Sequence, residues 1–133
     1  MESASRVVVA GLGAEDGVGS AEVMVNALRE AGAEVVYAGS SLDCERIVAA
    51  VIQEDACAIG LVAAGDGDVP EMLTLLRRLR EECGDRVAFV ASGPFTGEAA
   101  AALAAAGVTV QARPGDVVDP ACGIVQRAQS RGE

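Results

Sequence analysis

The carboxylates Glu15, Asp16, Asp66 and Asp68 stand in two glycine-rich segments, each of which follows a short apolar run. Two such pairs facing one another across a crevice can hold Mg²⁺, or can split their pKa values so that one group serves as acid and another as base. Glu15, Asp16 and Asp66 are therefore the candidate catalytic residues of a lyase or an isomerase. The alternative is a solvated loop carboxylate or a helix cap, the role open to Asp68 ahead of a helix beginning near Val69. Missing residue types close other routes. The chain has no His, hence no imidazole base, no catalytic triad and no nitrogen ligand for a metal. Its ten basic residues are all Arg, which rules out an internal aldimine and a Walker lysine. No residue is assigned as a metal ligand.

Around these carboxylates the residues are small. The first segment contributes Gly11, Gly13, Gly17, Gly19 and Ser20, a later one Ala63, Ala64, Gly65 and Gly67, and two more read Ser92-Gly93-Pro94 and Arg113-Pro114-Gly115-Asp116. A glycine at one strand-to-helix turn is ordinary. Four such turns on one sheet edge leave room for a bulky small-molecule ligand or for close backbone approach. The Gly11-x-Gly13 pair does not complete a dinucleotide fingerprint, because Asp16 or Val18 stands where the third glycine would open the helix.

The elements that must position these turns alternate strictly. Continuous apolar runs at Arg6 to Gly11, Glu34 to Ala38, Cys57 to Ala63, Arg86 to Ala91 and Val108 to Gln111 predict buried strands. Helical patterns cover Ser20 to Ala31, Leu42 to Glu54, Val69 to Glu82, Gly97 to Ala106 and Val117 to Gln129. Ser20 and Asp43 are placed to cap the first two, and Gly32, Gly84 and Gly107 to stop three of them. Such alternation predicts an α/β fold, a doubly wound five-stranded parallel sheet of flavodoxin-like or Rossmann-like order 2-1-3-4-5 with helices on both faces. In that order the first and third strands are neighbours and their loops share one crevice. The expectation is a single domain over residues 6–129, with 1–5 and 130–133 as flexible tails.

Composition narrows the partners. At 133 residues and 51% apolar the chain can bury one core, and its three aromatic residues offer no stacking platform for bases. A net charge of −10 repels phosphate backbones and anionic bilayers, so neither nucleic acid nor membrane is expected as a partner. Cys44, Cys57, Cys83 and Cys122 lie far apart with no C-x-x-C and read as buried thiols of a reducing compartment. No apolar run reaches transmembrane length and the amino terminus has no signal-peptide form, which makes the cytoplasm the expected location. Arg77, Arg78 and Arg80 with Glu81 and Glu82 read as the wet end of a helix. The alanine-rich stretch from Ala99 to Ala106 is suited to close packing within the domain.

The stretch Leu12-Gly13-Ala14-Glu15-Asp16-Gly17-Val18-Gly19-Ser20-Ala21 resembles the first loop of the cobalamin-binding domain of methylmalonyl-CoA-type mutases, where D-x-H-x-x-G follows the first strand. The resemblance runs through most of the chain: Ile59-Gly60-Leu61 with Ala63-Ala64-Gly65 is similar to the third strand and its loop, Ser92-Gly93 stands at the family's glycine pair, and Gly107-Val108 with Arg113-Pro114-Gly115-Asp116 matches its last strand and turn. It implies a groove for the corrin and its nucleotide tail, lined by Gly13, Gly17, Val18, Ser20, Ala63, Ala64, Gly65, Ser92, Gly93, Pro114 and Gly115.

The family's histidine ligates cobalt. Aligned without a gap its position falls on Gly17, with Glu15 at the aspartate and Ser20 at the glycine; shifted by one, it falls on Val18, with Asp16 at the aspartate. The family's serine after the third strand, which holds the nucleotide tail, is replaced within Val62-Ala63-Ala64. The resemblance thus implies a stand-alone cobalamin-binding-like domain that either binds cobalamin without histidine ligation or serves as a diverged small subunit of a mutase-type (isomerase) system whose large subunit carries the substrate barrel. A homo-oligomer, the repurposed lyase or isomerase described above, and a regulatory or scaffold module without cofactor are the alternatives. A phospho-receiver is a further one, with Arg113-Pro114 at its Lys-Pro and Ser92 at its hydroxyl, but Ala63 or Ala64 occupies its acceptor position.

Overall fold

Val7-Val8-Val9-Ala10 and Ala58-Ile59-Gly60-Leu61-Val62 leave no polar face, so each needs cover on both sides. They take the middle of the sheet. In the computed structural model, which describes residues 6–12, 17–39 and 43–111, β1 (Arg6–Gly11) lies between β2 (Glu34–Gly39) and β3 (Ala58–Val62), followed by β4 (Ala88–Ser92) and β5 (Thr109–Gln111). Every pairing is parallel and the order is 2-1-3-4-5, as the sequence predicts. The edge strand β2 is only partly buried.

Chain direction decides which face each helix covers. From β1 to β2 the chain steps one way across the sheet, and from β2 through β3 and β4 to β5 it steps the other way. With right-handed crossovers, α1 (Gly17–Glu30) falls on one face and α2 (Cys44–Glu54), α3 (Val69–Cys83) and α4 (Gly97–Ala105) on the other. Strand residues divide accordingly. Val8, Ala10, Ile59, Leu61, Phe89 and Ala91 pack with Ile47, Val51, Met72, Leu75, Leu79 and Leu103 of α2, α3 and α4. Val7, Val9, Ala58, Val62 and Val90 pack with Ala21, Met24, Val25 and Leu28 of α1.

Three expectations about helix ends have different outcomes. Asp43 caps α2: its backbone is extended (φ −86°, ψ 169°) and its carboxylate accepts a hydrogen bond from the Arg46 amide at 2.9 Å. Ser20 does not cap α1, which already begins at Gly17. The helix-propensity cost of Gly17 and Gly19, about 1 kcal/mol each, is outweighed by the packed face from Ala21 to Leu28 that extends the helix backwards. Asp68 precedes α3 but makes no side-chain cap. A single 3₁₀ turn over Asp66–Asp68 gives Asp68 a near-helical backbone (φ −88°, ψ −6°), from which a carboxylate does not reach the amides ahead, and Pro70 offers none. Gly32, Gly84 and Gly107 all end helices with positive φ, as expected.

The charged end of α3 is more than a wet face. Arg78 grips Glu45 of α2 with two nitrogens, at 2.8 and 2.9 Å, and reaches Glu81 and Glu82 at 3.2 Å, tying the two helices together. The Arg78 hydrogen bonds hold the Glu45 carboxyl below the usual glutamate range. Cys83 is buried, whereas Cys44 and Cys57 are half-buried and their thiols donate to backbone carbonyls, of Glu71 at 3.5 Å and of Arg6 at 3.4 Å. Cys122 and the expected helix Val117 to Gln129 lie outside the described residues. Among the described residues no helix is long and apolar enough to cross a membrane.

Candidate functional site

The carboxyl ends of β1, β3 and β4 lie side by side, and the sheet ladder carries on past them. The Leu12 amide donates to the Val62 carbonyl at 2.9 Å and the Ala63 amide to the Ser92 carbonyl at 2.8 Å. Leu12 and Ala63, just beyond the strands, are thereby tied to their neighbours by the same ladder. Because β1 separates β2 from β3 while the chain winds outward from it in both directions, this edge is the topological switch point, where open α/β sheets bind ligands.

Two carboxylates stiffen the turn after β3. Asp66 Oδ1 accepts from the Thr96 amide at 2.9 Å and Asp66 Oδ2 from the Thr96 hydroxyl at 2.7 Å. The same hydroxyl accepts from the Ala99 amide at 3.2 Å as the N-cap of α4. Asp68 Oδ2 meanwhile accepts from the Ala64 amide at 2.7 Å, closing the turn on itself. The turn after β3 and the start of α4 are thus one hydrogen-bonded unit. Thr96 was not among the expected site residues, although a threonine directly before Gly97-Glu98-Ala99 is a recognisable cap signal.

Gly93 has no room for a side chain. A Cβ there would meet the Ala63 carbonyl oxygen at 2.9 Å and the Phe95 ring at 3.1 Å. Only glycine lets the turn after β4 lie against the turn after β3. Next to it Ser92 is the one buried polar residue among the described ones, 1% exposed, and its Oγ has no hydrogen-bond partner. A buried hydroxyl left so costs on the order of 1–3 kcal/mol, and buried side-chain polar atoms are as a rule hydrogen-bonded.

Of the residues expected to bind a cofactor, Ala63, Ala64, Gly65, Ser92 and Gly93 come together at the ends of β3 and β4, while Gly17, Val18 and Ser20 fall in the first turn of α1. Gly13, Pro114 and Gly115 lie outside the described residues, as do the candidate acids Glu15 and Asp16. Asp66 is present with its carboxylate engaged by Thr96. Among the described residues no group of three His, Cys, Asp or Glu side chains is arranged to hold a metal ion.

Comparison with known proteins bears on the same region. The family described as B12 binding domain matches residues 7–122. No curated protein matches the chain significantly. Among solved structures, a cobalamin-binding protein from Desulfitobacterium hafniense DCB-2 superposes with a TM-score of 0.79 at 16% identity, over 92% of this chain and 60% of that one. A methanol:cobalamin methyltransferase complex from Methanosarcina barkeri gives 0.74 at 18% identity, over 91% of this chain and 46% of that one. A monomethylamine corrinoid protein from Methanosarcina barkeri gives 0.73 at 16%, over 92% and 58%. This chain therefore spans about half to three-fifths of the length of those structures.

Proposed function

This chain belongs to the B12-binding domain family, and from that membership we propose that it holds a cobalamin at the carboxyl ends of β1, β3 and β4 with no histidine of its own on the cobalt. The observation that carries the reading is the buried, unpartnered Ser92 hydroxyl at that edge. A polar atom enclosed in an apolar interior fits a ligand that enters deeply and brings its own hydrogen-bonding group. Gly93 and the Ala63-Ala64-Gly65 turn supply a wall of backbone and small side chains, which suits a large, flat, mostly apolar ring system. Gly17, Val18 and Ser20 would approach from α1, with Gly13, Pro114 and Gly115 completing the groove.

A bound cobalamin supplies an alkyl–cobalt bond, as carrier of a methyl group or as a radical source. The residues of this chain bind and orient it. Without His in the sequence, no imidazole of this chain reaches the metal, and affinity rests on shape and apolar contact. Catalysis then belongs to a partner. A mutase-type large subunit is the partner implied by the sequence resemblance, and a methyltransferase is the partner in the methanol:cobalamin complex that shares the fold.

The purified protein mixed with hydroxocobalamin and desalted should retain the visible absorbance of the corrin. Colourless protein at micromolar concentration would sink the proposal. In a protein that retains corrin, Gly17→His should shift the visible spectrum if that position faces the cobalt, and Val18→His tests the neighbouring alignment.

A further inference from the structure

Of the two edges of the sheet, β5 is three residues long and β2 six. Nothing among the described residues pairs with the outer side of β2. Edge strands are usually protected by charge, proline or a bulge, because their free amides and carbonyls recruit another strand. Here Val35-Val36-Tyr37-Ala38 carries no charge and no proline. The one irregularity in its pairing with β1 comes after Tyr37, leaving Glu34 to Tyr37 regular, and Tyr37 is 42% exposed.

The flank of that edge carries charge in a set order. α2 meets α3 through Cys44 and Glu45 and the sheet through Ile47 and Val51. That leaves Arg46, Ala50 and Glu54, at i, i+4, i+8 spacing, as the stripe toward β2. Glu54 agrees with this placement, since it shares Arg6 with Glu34 of β2, at 3.4 and 3.2 Å. Because α2 runs back against the strands, Arg46 stands beside the carboxyl end of β2, and Glu34 and Glu54 beside its amino end. There one guanidinium serves two carboxylates, whereas among the described residues Arg46 is bridged to none.

We propose that β2 is a dimer contact, pairing antiparallel with β2 of a second copy about a two-fold axis at Val36. Tyr37 pairs with Val9 and shares the α1 face with Val35. In the proposed register it lies opposite Val35 of the other copy, an aromatic against a β-branched side chain. Glu34 lies opposite Ala38, so no like charges meet. The same axis brings Arg46 of each copy to Glu34 and Glu54 of the other, which balances two carboxylates with two guanidinium groups. Ala50, between Arg46 and Glu54, is small enough for the two α2 helices to approach. A second copy supplies both halves of this pattern by symmetry, which is what a two-fold contact requires. The contact lies along the β2 edge and does not depend on cobalamin.

Sedimentation velocity of the full chain at tens of micromolar should show a dimer that dissociates on dilution. Tyr37→Lys, a charge set on the exposed edge, should raise the dissociation constant about tenfold or more. Arg46→Glu should raise it about fivefold by setting a third carboxylate against Glu34 and Glu54. An acid in the first turn of α2 suits the helix dipole, so unfolding of the diluted Arg46→Glu monomer should match wild type and separate loss of the dimer from loss of the fold. Under mild oxidation Val36→Cys should form an intermolecular disulfide across the axis that wild type, with its own four cysteines, does not. A wild type that stays monomeric, a dimer that neither charge substitution weakens, or a Val36→Cys protein that cross-links no faster than wild type overturns the proposal.

Discussion

On the face covered by α2, α3 and α4, the strands present Val8, Ile59, Leu61 and Phe89 to Ile47, Met72, Leu75 and Leu79. On the face covered by α1, β3 and β4 present Ala58, Gly60, Val62, Val90 and Ser92. Large side chains interlock on the first face, and among the described residues every buried side chain there is apolar. On the second, β3 and β4 contribute smaller residues to the packing of Met24, Val25 and Leu28, and at its carboxyl end that face keeps a hydroxyl without a partner. One sheet thus separates two tasks. Bulk and interdigitation on the first face stabilise the fold, which lets the other face carry an unsatisfied hydroxyl and a glycine in close contact with α1.

Removing bulk from the first face should have the largest effect. Leu75→Ala, at a fully buried site in α3, should cost about 3 kcal/mol in urea unfolding while folded protein still retains corrin. A shift near zero would mean that this face is not where stability resides. Adding bulk to the second face comes next. A Cβ on Gly60 would lie 2.7 Å from Met24 Sδ, so Gly60→Ala should cost about 2 kcal/mol by overpacking. Combined with Met24→Ala it should cost less than the two single changes together, because the thioether no longer collides. Strict additivity would show that α1 and β3 are not in the tight contact described.

Smaller effects separate the site's scaffold from its binding face. Asp66→Ala should lower stability by about 1 kcal/mol through loss of both bonds to Thr96, and Thr96→Ala should add little on top of it. Full additivity would show that the two act apart. The smallest effect concerns Cys44, whose thiol pKa is pushed up by burial and then by Glu71, Glu45 and Asp43. In the unfolded chain this thiol ionises at lower pH than in the folded one. Its contribution is therefore complete below the ordinary thiol range and is lost as pH rises through the folded-state value. Unfolding measured from pH 7 to 10 should show a slightly steeper decline for wild type than for Cys44→Ala; parallel curves would contradict this.

Strand order was readable because the middle strands are apolar at every position and the helices between them leave few topologies. Family membership was readable in the turn residues at the strand ends. The start of α1 was not, since Gly17-Val18-Gly19 has the composition of a loop and becomes helical through contacts made further along. Nor was the Asp66–Thr96 link, because residues 30 apart in sequence meet only when adjacent parallel strands bring their turns together. Ser92 was readable as a strand-end residue at the family's glycine pair. That its hydroxyl is enclosed without a partner is a property of packing on all sides, which no linear pattern encodes.

α4 is mostly alanine and buries Leu103 alone among its residues, so little apolar area anchors it. Its ends are fastened instead: Thr96 to Asp66 at one, and at the other the Ala106 carbonyl, which accepts from Arg80 at 2.8 Å. Arg80 lies where any side chain at Gly107 would sit, at 2.6 Å from its would-be Cβ. A helix held at two polar clasps and loosely between them is the natural first unit to open under native conditions. Amide hydrogens of α4 should exchange with solvent deuterium well before those of α2 and α3. Loss of the clasp between Asp66 and Thr96 would release this edge of the domain as a flap while the remaining strands stay closed.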